Sequence, residues 1–98
     1  MFIKSTTVST IKATAIPPRI AAFTLSISGA VISVTYALHT IVIRTYPGMA
    51  QAVCASCDAL FGNKMLGSIA GDDTILIITQ SEASAEEMCE ELKKIFKN

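Results

Sequence analysis

Three carboxylates and one amide are the side chains of this 98-residue chain best suited to binding chemistry. Asp72 and Asp73 follow Gly71, and this series of residues is typical of a tight turn. Asp58 lies in a stretch predicted to be helical. Gln51 precedes it by seven residues, so the two fall within about 20° of each other on one flank of that helix. Carboxylates at a turn and on a nearby helix concentrate negative charge where a cation could bind.

Residue types alone leave three interpretations of these carboxylates open. In the first, Gly71, Asp72 and Asp73 only form a turn and Asp58 is a solvated helix residue. In the second, the carboxylates bind a hard metal ion such as Mg²⁺ or Ca²⁺, which takes oxygen ligands. In the third, they bind an organic cation. A guanidinium fits best because its planar fork pairs with carboxylates through two charge-assisted hydrogen bonds.

The cysteines and the single histidine offer less chemistry. Cys54 and Cys57 have C-x-x-C spacing, but they lie inside a predicted helix and not at its N-terminus, where the helix dipole lowers a thiol pKa. We interpret them as small buried residues, and Cys89 and His39 are too remote to complete a zinc site. The sequence has no Ser-His-Asp or Cys-His pattern and no glycine-rich phosphate loop, so an enzyme is not predicted.

Length, composition and charge limit the function classes. A chain of 98 residues suits one domain, and 51% hydrophobic with 16% charged residues exclude a disordered chain. Residues 1–57 contain four basic residues and no acid, and residues 58–98 contain eight acids and four basic residues. The parts therefore carry +4 and −4, and the zero total gives no strong case for binding nucleic acid or an anionic membrane. A small, apolar, uncharged chain favours association, so we expect an oligomer.

The uncharged stretch 20–43 is long enough to be tested as a membrane span. Ser and Thr residues alternate there with Leu25, Ile27, Ile32 and Val34, which is the pattern of a strand, so no membrane association is expected. The N-terminus lacks the apolar segment of a secretory signal. The odd number of cysteines fits free thiols, and we expect a cytoplasmic protein.

The elements that would position these side chains follow the order strand, strand, helix, strand, strand, helix. β-Branched residues predict two pairs of strands, with an alternating pattern in the first pair and an apolar one in the second. The pairs are Val31–Tyr36 with His39–Thr45, and Met65–Ala70 with Thr74–Thr79. The second pair is a hairpin with the two adjacent acids at its tip.

Two helices complete the predicted domain. The first is predicted from Pro47 to Gly62, and the second begins at a capping box of Ser84 and Glu87. Each has one apolar stripe, which a sheet can cover. The sum is a two-layer α+β domain over residues 23–98, with a four-stranded antiparallel sheet and both helices on one face. Residues 1–22 have no periodic apolar face and are predicted to be an arm or linker.

Two segments form specific motifs. One reads Thr45-Tyr46-Pro47-Gly48-Met49-Ala50-Gln51, and the other reads Leu66-Gly67-Ser68-Ile69-Ala70-Gly71-Asp72-Asp73-Thr74. They are close to the patterns T-x-P-G-x-A-Q and L-G-T-I-A-G-D-D-T. Through them the chain resembles the C-terminal domain of the bacterial arginine repressors, over about residues 30–98.

The resemblance implies a DCoH-like ββαββα fold that assembles as trimers and, as a dimer of trimers, as hexamers. It implies L-arginine bound between trimers, with no metal or other cofactor. The implied contacts are Gln51, Asp58, Ser68, Ala70, Asp72 and Asp73. Ser68 stands where the family usually has Thr and keeps the hydroxyl. Thr35 and His39 stand where it tends to have Asp and Asn.

The expected function is that of an L-arginine-sensing oligomerisation domain in a transcriptional regulator of arginine metabolism. The family joins this domain to a winged helix-turn-helix domain, and residues 1–22 are too few to form one. We therefore expect DNA contact only through a winged-helix domain that is absent from this chain. The alternative is a structural or interaction module that kept the fold and lost arginine sensing.

Overall fold

The structure, a computed structural model, describes residues 2–5, 22 and 26–96. Its central element is an antiparallel five-stranded sheet in the spatial order β1-β4-β5-β3-β2. The strands are β1 Phe2–Ser5, β2 Val31–Ala37, β3 Thr40–Thr45, β4 Gly67–Ala70 and β5 Thr74–Ile78. Two helices follow β3 and β5, namely α1 Ala50–Phe61 and α2 Glu82–Phe96.

Both helices pack on one face of the sheet. On that face Ile41 lies opposite Ile77 and Ile43 lies opposite Ile75, and all four side chains are fully buried. Helix α1 packs against β4 and β5, and α2 packs against β2 and β3. The α+β arrangement of strands β2 to β5 with two helices on one face confirms the predicted fold class, and β1 adds a fifth strand to the predicted sheet.

The fifth strand, β1, comes from the segment predicted to be an arm. It pairs antiparallel with β4, and Phe2 lies opposite Ala70 while Lys4 lies opposite Ser68. Four residues are too short to show a periodic pattern, and a strand of this kind depends on an edge supplied by a distant part of the chain. For that reason the sequence pattern did not predict it.

Helix α1 begins three residues later than predicted. The backbone of Gly48 has a φ of 84°, in the left-handed region that favours glycine, so the chain cannot continue as a helix from Pro47. The N–H groups of Gly48 and Ala50 donate instead to the backbone carbonyl of Asp72, at 2.9 and 3.3 Å. A distant turn therefore caps the start of α1.

Helix α2 begins earlier than predicted, because Ser81 caps it and Ser84 does not. The Ser81 hydroxyl accepts the backbone N–H of Ser84 at 3.1 Å, and the carbonyl of Ser81 accepts the N–H of Ala85 at 3.0 Å. A side-chain oxygen that accepts the backbone N–H three residues later is the geometry of a helix N-cap.

Within the described residues, neither helix is long and apolar enough to cross a membrane.

The three cysteines are free and buried, which confirms their interpretation as small core residues. Burial raises the pKa of the Cys57 thiol, with smaller contributions from Cys54 and Asp58. The pKa of Cys54 is raised for the same main reason. Neither thiol has the depressed pKa that a redox pair requires.

We therefore expect the folded protein to react with a disulfide reagent such as DTNB at pH 8 at least roughly 100-fold more slowly than the denatured chain, because a buried thiol reacts only after local unfolding. The absorbance of the released thiolate measures this rate. Denatured protein at the same pH is the control. Rapid modification of one thiol per folded chain would show that this part of the core is accessible.

Candidate functional site

The acidic turn between β4 and β5 is bonded to the segment that leads from β3 into α1. Besides the two bonds to the carbonyl of Asp72, the backbone N–H of Thr45 donates to the carbonyl of Asp73 at 2.8 Å. Thr45 is buried. These three bonds involve only the backbone, so they fix the position of both acids without using either carboxylate.

A polar cavity of about 440 Å³ opens at this junction, lined by Gly48, Gln51, Gly71 and Asp72. Its volume lies within the range of small-molecule sites, which is roughly 300–1,000 Å³. Gln51 and Asp72 are exposed and supply an amide and a carboxylate. The two glycines contribute no side chain, and a Cβ at Gly48 would have no neighbour within 4 Å. The cavity is therefore open on the solvent side.

The carboxylate of Asp73 already has internal partners. Its Oδ1 accepts a hydrogen bond from the Thr74 hydroxyl at 2.9 Å, and its Oδ2 lies 3.6 Å from Nη2 of Arg44. Both charged side chains are about half exposed, so this ion pair is weak and can exchange with solutes. The contact is a direct example of a guanidinium beside the acidic turn.

Asp58 lies on α1, two turns after Gln51, and is half-buried. Seven residues of helix separate the two along the axis by about 10 Å. Its charge contributes to the raised pKa of Cys54 and Cys57, which places it near the thiols. It does not line the cavity. In the part of the chain that the structure describes, no three His, Cys, Asp or Glu residues group to hold a metal ion.

Ser68 and Ala70 lie on β4 with their side chains turned towards α1. Ser68 is 2% exposed and its hydroxyl lies 3.4 Å from Sγ of Cys54, and Ala70 is fully buried. The side chains of these two residues are therefore closed to a ligand at the surface. Of the six predicted site residues, the structure thus brings Gln51 and Asp72 together in one cavity and places Asp73 beside it.

Arg44 and Gly48 are site residues that the sequence motifs and spacing did not predict. Arg44 lies opposite Thr74 in the β3–β5 ladder, which brings it next to Asp73. No acid lies near Arg44 in the sequence, so the sequence pattern did not indicate an ion pair. The pairing of Arg44 with Asp73 follows from the register of β3 against β5. The proline-glycine step at Gly48 is typical of a turn, and the prediction of a helix start at Pro47 is wrong there because Gly48 has a left-handed backbone.

Comparison with known proteins identifies related sequences over the same elements. Residues 27–94 match the profile of the family described as "Arginine repressor, C-terminal domain". The arginine repressors of Acetivibrio thermocellus and Lachnospira eligens are 43% and 45% identical over 67 residues, which is 68% of this chain and 44% of each relative. The arginine repressor of Bacillus subtilis is 46% identical over 57 residues, 58% of this chain and 38% of that protein. The matches thus span less than half the length of these relatives.

Proposed function

Because this chain belongs to the arginine repressor C-terminal domain family, we propose that it binds L-arginine and self-associates as part of a regulator of arginine metabolism. The family consists of transcriptional regulators and not of enzymes. This confirms the prediction, made from the sequence, that the chain is not an enzyme. The observation that carries the proposal is the cavity in which Gln51 and Asp72 meet, beside a carboxylate that already contacts a guanidinium.

The chemistry of the cavity suits one end of L-arginine. Asp72 would accept charge-assisted hydrogen bonds from the guanidinium or the α-ammonium, and Gln51 can donate to or accept from either end of the ligand. Asp73 would exchange Arg44 for the ligand at little cost, because the existing ion pair is exposed. In this proposal L-arginine is a co-repressor and no metal takes part.

The remaining proposed contacts differ in how they can reach the ligand. Ser68 and Ala70 would use backbone groups, since their side chains are buried. Asp58 lies too far along α1 to share the cavity of its own subunit. It would act across an interface, on a ligand held by a neighbouring subunit.

An open apolar sheet face supports self-association. On the side of the sheet away from the helices, Leu76 lies between Ile69 on β4 and Val42 on β3. Leu76 and Ile69 are 40% and 38% exposed. Three adjacent apolar side chains on one face form a patch suited to burial against another copy. We name Val42, Ile69 and Leu76 the open face and propose that it forms trimer contacts, with hexamers as dimers of trimers.

The DNA-binding step is proposed to lie outside the matched residues. Residues 27–94 correspond to less than half of each relative, so a regulator of this kind has room for a winged-helix domain elsewhere. We propose that DNA contact is made there, and that the regulator acts in the cytoplasm. The domain described here would supply the ligand response.

Isothermal titration calorimetry with three ligands tests this function. L-Arginine is expected to bind at least about 10-fold more tightly than L-lysine, whose ammonium cannot form the bidentate fork, and than L-citrulline, which is uncharged at that end. Light scattering during the titration measures assembly. Absence of heat at millimolar L-arginine, with unchanged assembly, would favour the alternative of a structural module that has lost arginine sensing.

A further inference from the structure

The N-terminal strand β1 covers an edge of the sheet that carries two proposed ligand contacts. Lys4 lies opposite Ser68 and Phe2 lies opposite Ala70. Without β1, strand β4 would be the edge of the sheet, because among the described strands its other neighbour is β5. Residues 2–5 lie outside the range 27–94 that matches the family profile. The pairing thus joins residues outside the matched range to a strand inside it.

The hydrogen-bond direction shows which backbone groups β1 occupies. The N–H of Gly71 donates to the carbonyl of Thr74 at 2.9 Å, so Gly71 bonds on the β5 side. Successive residues of a strand direct their N–H and C=O groups to opposite sides of the ladder. Ala70 and Ser68 therefore direct theirs towards β1. These are the same backbone groups through which the two residues could contact a ligand.

The pairing of β1 is short and closes a long connection. It extends over four residues, and 22 residues separate Ser5 from Ser28. Closing a connection of this length costs conformational entropy, which a few backbone hydrogen bonds offset only in part. An uncovered edge would pair readily with an extended segment. The edge of β4 therefore suits an occupant that can leave and return.

We propose that the outer edge of β4 is a strand-binding surface occupied by the chain's own Phe2–Ser5, and that β1 and L-arginine compete for the backbone of Ser68 and Ala70. The identity of the competing ligand, L-arginine, rests on the proposed function. Release of β1 would accompany binding, so the N-terminal segment would lower the affinity for L-arginine. The released segment would in turn signal that L-arginine is bound.

Two proline variants of the full chain test the competition. Lys4→Pro removes an N–H group that faces β4, whereas Ile3→Pro removes one that the same alternation directs away from the sheet. Calorimetry should show L-arginine bound about 5-fold more tightly by Lys4→Pro, and unchanged within about 2-fold for Ile3→Pro, as expected from the loss of one net hydrogen bond. Lys4→Gln controls for the charge and should resemble the unaltered chain. Equal affinities for both proline variants would overturn the competition.

Hydrogen exchange in the unaltered chain gives a readout that needs no variant. Saturating L-arginine is expected to accelerate exchange of the Lys4 amide at least about 10-fold, while the Ser68 and Ala70 amides stay protected by the ligand. The amide of Ile43, in the sheet centre, is the internal control. Binding of L-arginine without faster exchange at Lys4 would refute the competition and leave the proposed function standing. Absence of L-arginine binding by all variants would refute the proposed function, while protection of Ser68 and Ala70 in the free protein would still test the strand pairing.

Discussion

Replacing Asp72 with asparagine is expected to weaken L-arginine binding by about 30- to 100-fold while leaving the fold intact. The carboxylate is the charged group that lines the cavity, and loss of hydrogen bonds to a charged partner costs about 2–3 kcal/mol. The structural contribution of Asp72 is its backbone carbonyl, which accepts the N–H groups of Gly48 and Ala50. Asparagine keeps that carbonyl and the side-chain shape. Calorimetry measures the affinity, and circular dichroism confirms the fold.

Two further variants make the Asp72 result specific. Glu90→Gln removes the same charge from an exposed position on α2, and the affinity should stay within about 2-fold because solvent and salt screen distant surface charges. Asp73→Asn should have a smaller effect than Asp72→Asn, since the oxygens of Asp73 are already bonded to Thr74 and paired with Arg44. If Asp72→Asn bound L-arginine as tightly as the unaltered chain, the cavity would not be the site.

Replacing Leu76 with glutamate is expected to convert the assembled protein into monomers at micromolar concentration. Leu76 lies at the middle of the open face, between Ile69 and Val42. A carboxylate buried there without a partner would weaken the association between two subunits by several kcal/mol, which lowers their affinity more than about 100-fold. The side chain is partly exposed in the single subunit, so the monomer should fold. Sedimentation velocity over a concentration series measures the change.

Leu38→Glu is the matched control for the open face. Leu38 is 68% exposed in the turn between β2 and β3, away from the three residues of the open face. The same substitution there should leave assembly unchanged. An assembled Leu76→Glu protein would assign the subunit contacts to another surface.

The sequence predicted the sheet and helices well where the pattern is local. Strands β3 and β5 are rich in β-branched residues, as a strand favours, and in the structure their burial alternates along each strand. The errors occur where a distant group decides the local structure. Helix α1 starts at Ala50, where the carbonyl of Asp72 accepts the N–H groups of Gly48 and Ala50, and β1 forms because β4 offers an edge. Neither partner can be inferred from the residues next to it.

The same distinction applies to the candidate site. The seven-residue spacing of Gln51 and Asp58 correctly placed both on one helix, but it could not show that only Gln51 reaches the turn. The pairing of Arg44 with Asp73 needs the register of β3 against β5. That register is a property of the folded sheet, so it becomes visible only when the strands are paired.

The cavity beside the acidic turn is open to solvent, and four of the described residues line it, two of which are glycines. A single subunit therefore encloses little of an amino acid, and under the proposed function a neighbouring subunit would supply the remaining wall. With such a divided site, the apparent dissociation constant falls as the concentration of the protein rises, because ligand and subunits stabilise the same complex. Titrations at different protein concentrations would not superimpose. A cell using this device would respond to the product of two abundances, that of the amino acid and that of the regulator.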